Sequence, residues 1–177
     1  HRCRAGVHDH RTDHGARRVQ AVRDQESGIR DQRAMSAEQL PRRADFGVVR
    51  PVPTRWMDND HYGHVNNVAY YSFFDTAVNG FLLDTTGIDI RALAAIGLVA
   101  ESSCRFLKPA SFPDTIHAGL AIDKRGNSSV VYRIALFRNQ DAEPCAVGKF
   151  VHVYVDRASR RPVSIPAEIA AAIDRLR

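Results

Sequence analysis

The chain reads as an α+β domain in which an antiparallel sheet packs on one long buried helix, with a short helix at the C-terminal end. Three observations predict this. Apolar and small residues recur at three- and four-residue steps between Asn66 and Leu83. Downstream, four segments rich in β-branched residues follow one another with turn-forming separators and no second long helical pattern. After Pro166, Ile169, Ala172, Ile173 and Leu176 form a final stripe at helical spacing.

The first 34 of the 177 residues differ in kind from the rest. They contain no aromatic residue and few aliphatic ones, so they cannot bury enough surface to offset the entropy of ordering them. Residues 1–45 are therefore expected to be a disordered extension, and 46–177 the folded domain. The first methionine is Met35, and residues 1–34 are read as upstream of the native start. Setting aside their 8 Arg and 5 acidic residues leaves 17 basic against 15 acidic in residues 35–177. A net charge of +2, with Lys and Arg dispersed, gives no electrostatic basis for holding a nucleic-acid backbone. The three cysteines have no ligand spacing, which points to a reducing compartment, with Cys104 and Cys145 as small buried residues. No apolar run approaches the roughly 18 residues a membrane span needs, so a cytoplasmic protein is expected.

In chain order, Phe46–Trp56 is extended, because Pro51 and Pro53 forbid helix and confine the segment to a sheet edge. The helix from Asn66 to Leu83 would span roughly 27 Å at about 1.5 Å per residue. Its candidate stripe is Val68, Ala69, Ser72, Phe73, Thr76, Ala77 and Gly80; Tyr70, Phe74 and Phe81 occupy another face, so burial on most sides is expected. The strands are 97–107, 115–124, 129–138 and 146–156, with neighbours able to pair as hairpins. Pro166 and Glu168 mark the last helix start. A sheet with one face and one edge uncovered calls for a second copy, so a homodimer or homotetramer is expected.

The segment Thr54–Asp75, TRWMDNDHYGHVNNVAYYSFFD, concentrates polar chemistry just ahead of the long helix. Asp and His are metal-ligand types, but a calcium loop beginning at Asp58 fails at Tyr62 and Ala69, and His61 and His64 are three apart rather than four. No metal and no cofactor are expected. By residue type alone, Asp58, Asn59 and Asp60 could equally turn the chain and cap the helix. A carboxylate before a helix N-terminus faces the positive end of the dipole and unpaired backbone N–H groups, which can also receive a developing oxyanion.

The pattern Asp58-x-Asp60-x-x-Gly63-His64-Val65-Asn66-Asn67-x-x-Tyr70, ending at Phe73 and Asp75, resembles the signature of the 4-hydroxybenzoyl-CoA thioesterase-like branch of the hot-dog superfamily. Arg105-Phe106-Leu107-Lys108-Pro109-Ala110 and the ending from Val155-Asp156 to Arg161-Pro162-Val163-Ser164-Ile165-Pro166 resemble two further elements of that family. The resemblance covers about 46–177 and implies a hot-dog fold hydrolysing an acyl-CoA to a free acid and CoA. By motif position it assigns Asp60 as nucleophile or general base and the Asn67 backbone N–H as oxyanion donor. Gly63 would admit the substrate close to the backbone, although a plain turn glycine fits as well. His64 would support the Asp60 turn or move a proton. Asp75 stands where the family often has Glu. Asn66, Lys108 and Arg157 are the candidates for holding substrate, the two cations through the CoA phosphates. His152 is expected to be a packed or interface residue. Two other readings remain: a noncatalytic acyl-CoA-binding module, and a hydratase or dehydratase of the same fold, whose Asp and His are separated by four residues where Asp60 and His64 have three between them.

Overall fold

The computed structural model describes residues 40–176. Its elements are β1 (Val48–Pro53), α1 (Asn67–Thr86), β2 (Ala95–Phe106), β3 (Thr115–Arg125), β4 (Ser129–Arg138), β5 (Ala146–Asp156) and α2 (Ala167–Ile173), joined in places by short 3-10 turns. The five strands form one antiparallel sheet in the order β1-β3-β4-β5-β2. This is the α+β architecture expected from the sequence. Of the expected extension, residues 1–39 lie outside the described residues. Its last residues include a 3-10 turn at Arg43–Asp45, where the Arg43 N–H donates to the Ala142 carbonyl at 3.1 Å.

Prolines place β1 at the sheet edge. Pro51 and Pro53 lie opposite His117 and Thr115 of β3, and β1 has no second neighbour to which a missing N–H would matter. Consecutive strands pair as hairpins for β3–β4 and β4–β5, but β2 and β3 do not pair: β2 lies at the far edge, against β5. The segment after Phe106 is too busy elsewhere to make a tight turn. The Leu107 and Lys108 N–H groups both donate to the Cys145 carbonyl, and Ala110 O accepts the Val65 N–H at 2.8 Å. The chain thus crosses the end of the sheet beneath the turn that precedes α1.

Asn66 starts α1: its Oδ1 accepts the Val68 N–H at 3.1 Å. Gly87 ends it, donating its N–H to Leu83 O. The buried face is Tyr70, Phe73, Phe74, Ala77, Val78, Phe81 and Leu82. This corrects two expectations, because Val68, Ser72 and Thr76 of the candidate stripe are exposed, Val68 at 69%, and the helix is buried on one side only. Aromatic side chains carry the largest apolar area, so the face holding Tyr70, Phe74 and Phe81 turns inward and the small-residue face follows it out. Phe74 can reach the sheet because residue 148 is glycine: a Cβ there would meet the Phe74 ring at 2.4 Å and Ser103 O at 2.6 Å. Helix α2 seats Ile169, Ala172 and Ile173 in the same core, and Leu176 follows in a 3-10 turn. On the opposite sheet face Phe46, Ala121, Ala135 and Phe137 form a smaller cluster.

Candidate active site

The turn before α1 is built by its own backbone. Asn59 and Val65 form an isolated bridge, the Asp60 N–H donates to His64 O at 2.8 Å, and the Gly63 N–H donates to Asp60 O at 3.2 Å. Gly63 has φ 81°, and no atom lies within 4 Å of where its Cβ would stand. The glycine is therefore needed for its left-handed backbone. The Asp60 carboxylate points back into this turn, where Oδ1 accepts the N–H groups of Tyr62 (2.8 Å) and His64 (3.3 Å). Among the described residues Oδ2 accepts no hydrogen bond. One oxygen thus orients the side chain and the other is free to react.

Asp58 braces the turn from beneath. It is 3% exposed, accepts the Arg55 guanidinium at 2.7 Å and the Arg55 N–H at 2.7 Å, and its carbonyl receives the Asn66 N–H at 2.8 Å. Burial alone would raise its pKa, but the hydrogen bonds and charge of Arg55 outweigh burial and hold it below the usual carboxylate value. Asn66 spends its side-chain oxygen on the helix cap. One step on, the Asn67 N–H has no acceptor among the described residues, as expected for a first-turn amide.

Asp60, His64, Asn67, Tyr70, Phe106 and Lys108 line an open cleft of ≈ 370 Å³ at this end of the helix. Four of the residues singled out from the sequence are therefore brought together: Asp60, His64, Asn67 and Lys108. Lys108 stands at the rim with its Nζ 2.7 Å from Glu143 Oε2. Gly63 and Asn66 shape the turn and the helix start. Arg157 does not join them. It lines a second cavity and donates to the carbonyls of Leu93 (3.2 Å) and Arg91. Asp75 is exposed, and its Oδ1 accepts Asn79 Nδ2 at 3.0 Å.

Sequence reasoning offers Leu107 as a residue closing the acyl pocket, and Leu107 lines the cleft, but the Tyr70–Phe106 part of the apolar wall was missed. Tyr70 and Phe106 meet edge to face, with centroids 5.0 Å apart, and burial pushes the Tyr70 phenol up to about 12. The signal was present as the tyrosine of the motif, three residues after Asn67, which helical geometry puts one turn along on the same side. Among the described residues no group of three or more His, Cys, Asp or Glu side chains is arranged to hold a metal ion, and no helix is long and apolar enough to cross a membrane.

A long helix lying on an antiparallel sheet, with a carboxylate turn at its N-terminus, is the arrangement of a hot-dog-fold thioesterase. The chain belongs to the thioesterase-like superfamily, whose family profile matches residues 52–173. It is similar to the PA5185 protein of Pseudomonas aeruginosa strain PAO1, at 50% identity and a TM-score of 0.76, covering 78% of this chain and 97% of that one. At the level of fold it is similar to Slr0204, a 1,4-dihydroxy-2-naphthoyl-CoA thioesterase from Synechocystis, at 16% identity and a TM-score of 0.66, covering 71% and 94% of the two chains. The fold is also similar to that of SAV2348 from Staphylococcus aureus, solved in complex with CoA, at 18% identity and a TM-score of 0.64, covering 71% and 80%.

Proposed function

We propose that this chain hydrolyses acyl-CoA thioesters to a carboxylic acid and CoA, with Asp60 as nucleophile or general base and the Asn67 N–H as oxyanion donor. The observation that carries the reading is the pairing of the unengaged Asp60 Oδ2 with the unengaged first-turn N–H of Asn67 on one cleft. A thioester carbonyl between them would meet negative charge on one side and a hydrogen-bond donor at the positive end of α1 on the other.

As general base, Asp60 takes a proton from water while the water oxygen adds to the carbonyl carbon. The tetrahedral oxyanion collapses with cleavage of the C–S bond, and the proton goes to the departing thiolate. As nucleophile, Asp60 forms an acyl anhydride with release of CoA, and water then cleaves the anhydride. Thiolate is a good leaving group, so neither route needs a dedicated acid, and one carboxylate with one oxyanion donor suffices. Lys108, which lines the cleft, would meet a CoA phosphate at its rim. That similar folds include a named CoA thioesterase and a CoA complex supports this substrate class.

The active unit is a dimer formed along β2. Among the described residues this strand is paired only to β5, is exposed over most of its length, and carries the exposed Leu98 and Val99, at 40% and 48%. A second copy pairing its own β2 would satisfy this free edge. The test of the chemistry is Asp60→Asn assayed for thiol release over short, long, branched and aryl acyl-CoAs. Near-complete loss is expected across the panel, and activity near that of the parent would sink the assignment. A single turnover in ¹⁸O-water then separates the routes: the general-base route puts ¹⁸O into the acid product, whereas the nucleophilic route, with water adding at the Asp60 carbonyl of the anhydride, leaves ¹⁸O in the Asp60 side chain and releases an unlabelled acid.

A further inference from the structure

The second cavity, ≈ 230 Å³, lies at the opposite end of β2, where Asn79 of α1, Gly97 of β2, His152 and Tyr154 of β5 and Ile169 of α2 converge with Arg157. His152 is 3% exposed, and neither of its ring nitrogens has a hydrogen-bond partner. Buried polar atoms are rarely left so. The ring is held in place by Phe150 and Tyr132, with centroids 5.0 and 5.4 Å away. Its Nδ1 faces the bare backbone of Gly97, where a Cβ would come within 3.3 Å. A rigid imidazole with unmet hydrogen-bonding capacity therefore sits in the wall of this cavity, packed with Tyr154 against the bare backbone of Gly97. Apart from Arg157, Arg91 and Asn79, the cavity walls near it are mainly aliphatic: Ile90, Leu93, Ile96 and Ile169.

We propose that this cavity receives the far end of the substrate's acyl group and that His152 reads a neutral hydroxyl or keto group carried there. The inference rests on the thioesterase reading and on the β2 dimer. Within one chain the cavity lies nine residues along β2 from Phe106 of the Asp60 cleft, about 30 Å at roughly 3.3 Å per residue, too far for one acyl group. Two-fold pairing of β2 with a second copy runs the strands antiparallel, so the Gly97 end of one copy lies beside the Phe106 end of the other. Each Asp60 cleft then continues toward the His152 cavity of the other copy. The neutral class of the polar group follows from the imidazole. Burial pushes the His152 pKa down to about 4, against a smaller opposing influence of Asp75, so the ring is neutral, with one N–H to give and one bare nitrogen to accept. Arg157 does not turn the site toward anions, because its guanidinium is engaged with the Leu93 and Arg91 carbonyls.

The test uses pairs of acyl-CoAs, alkyl and aryl, that differ only by a hydroxyl at the distal end of the acyl group. His152→Phe keeps the ring packing and removes the hydrogen bonds. It is expected to lower the kcat/KM ratio of the hydroxylated to the plain member at least about tenfold, because a site built to bond a hydroxyl discriminates through it. Gly97→Ala keeps His152 but places a methyl group against Nδ1, and it is expected to lower the same ratio, which keeps the test open if His152→Phe folds poorly. Unchanged ratios in both variants would overturn the proposal while leaving the thioesterase reading intact. If the parent protein hydrolyses no acyl-CoA, the thioesterase reading fails separately. The cavity is then tested by imidazole ¹⁵N shifts of His152 on titration with the free hydroxy acids: a shift specific to the hydroxylated acids supports the site, and no shift overturns it.

Discussion

At the Phe106 end of β2, Asp60 stands in an open cleft with its turn held by backbone hydrogen bonds. At the Gly97 end, His152 is buried with neither nitrogen partnered. The reactive turn of the first site lies within residues 58–70 and follows from local rules, an aspartate turn, a left-handed glycine and an asparagine cap, while Phe106 and Lys108 supply the facing wall. The second draws on α1, β2, β5 and α2, so it exists only once the sheet order is set. Charge placed at the surface is made to react, whereas a polar group placed in the core without partners has room to recognise something.

The comparison is tested most severely at Asn67. Residue 66 already has the extended backbone that precedes proline (φ −59°, ψ 140°), and the first helical position tolerates proline. Asn67→Pro should therefore fold while deleting the one N–H proposed to hold the oxyanion. Loss of such a donor lowers kcat by about 10²–10³, or about 3–4 kcal/mol. A variant with parent-like circular dichroism and parent-like kcat would move the oxyanion site elsewhere.

The buried end makes its own prediction through acid. His152 titrates near its ordinary 6.5 in the unfolded chain but at about 4 in the folded one. Its contribution to stability is complete above about pH 6.5, is lost as pH falls through this window, and is flat below about pH 4. Near 1.4 kcal/mol per unit, about 3 kcal/mol disappears. The charge of Asp75 favours the protonated ring but less than burial opposes it, Arg157 lines the same cavity, and the neighbouring Tyr132 and Tyr154 stay neutral throughout. Urea unfolding at pH 7 and pH 4.5 should reveal this slope in the parent. In His152→Phe the slope should shrink by about that amount, and an unchanged slope would mean that the imidazole is solvated.

What could be read from the sequence divides along the same line. The strand segments, the edge position forced by Pro51 and Pro53, the long helix and the Asp60 turn all rest on contacts or patterns within a few residues. The helix face was misjudged because small residues at regular spacing resemble a packing stripe until the aromatics are weighed by area. The place of β2 beside β5 could not be read, since no short-range feature near Phe106 reveals that the following backbone will bond to Cys145. Arg157 was grouped with Lys108 on charge alone, and the same nonlocal strand order separates them.

A smaller effect is expected at the helix cap. Asn66→Ala removes the acceptor for the Val68 N–H and should cost about 1 kcal/mol in stability. The cap also fixes the neighbouring Asn67 amide, so kcat should fall alongside the melting temperature. Asn66→Asp, which restores an acceptor, should recover both. Recovery of stability without kcat would give the Asn66 amide a role in holding substrate.

The smallest expected effect concerns the rim of the cleft. Lys108 and Glu143 are both substantially exposed and 2.7 Å apart, so their ion pair adds little to folding. In the proposed complex the Lys108 ammonium would nevertheless face two competing anions, the Glu143 carboxylate and an incoming CoA phosphate. The Lys108 charge, which also holds Glu143 below its usual pKa, is partly neutralised before substrate arrives. Glu143→Gln should therefore lower KM for acyl-CoA, and Lys108→Gln should raise it, each by about twofold to fivefold and with KM moving more than kcat. Salt should shrink both differences, because the charges are exposed. Opposite signs from two partners of one ion pair would identify Lys108 as a phosphate ligand. A change of the same sign in both would reduce the pair to a brace for the loop.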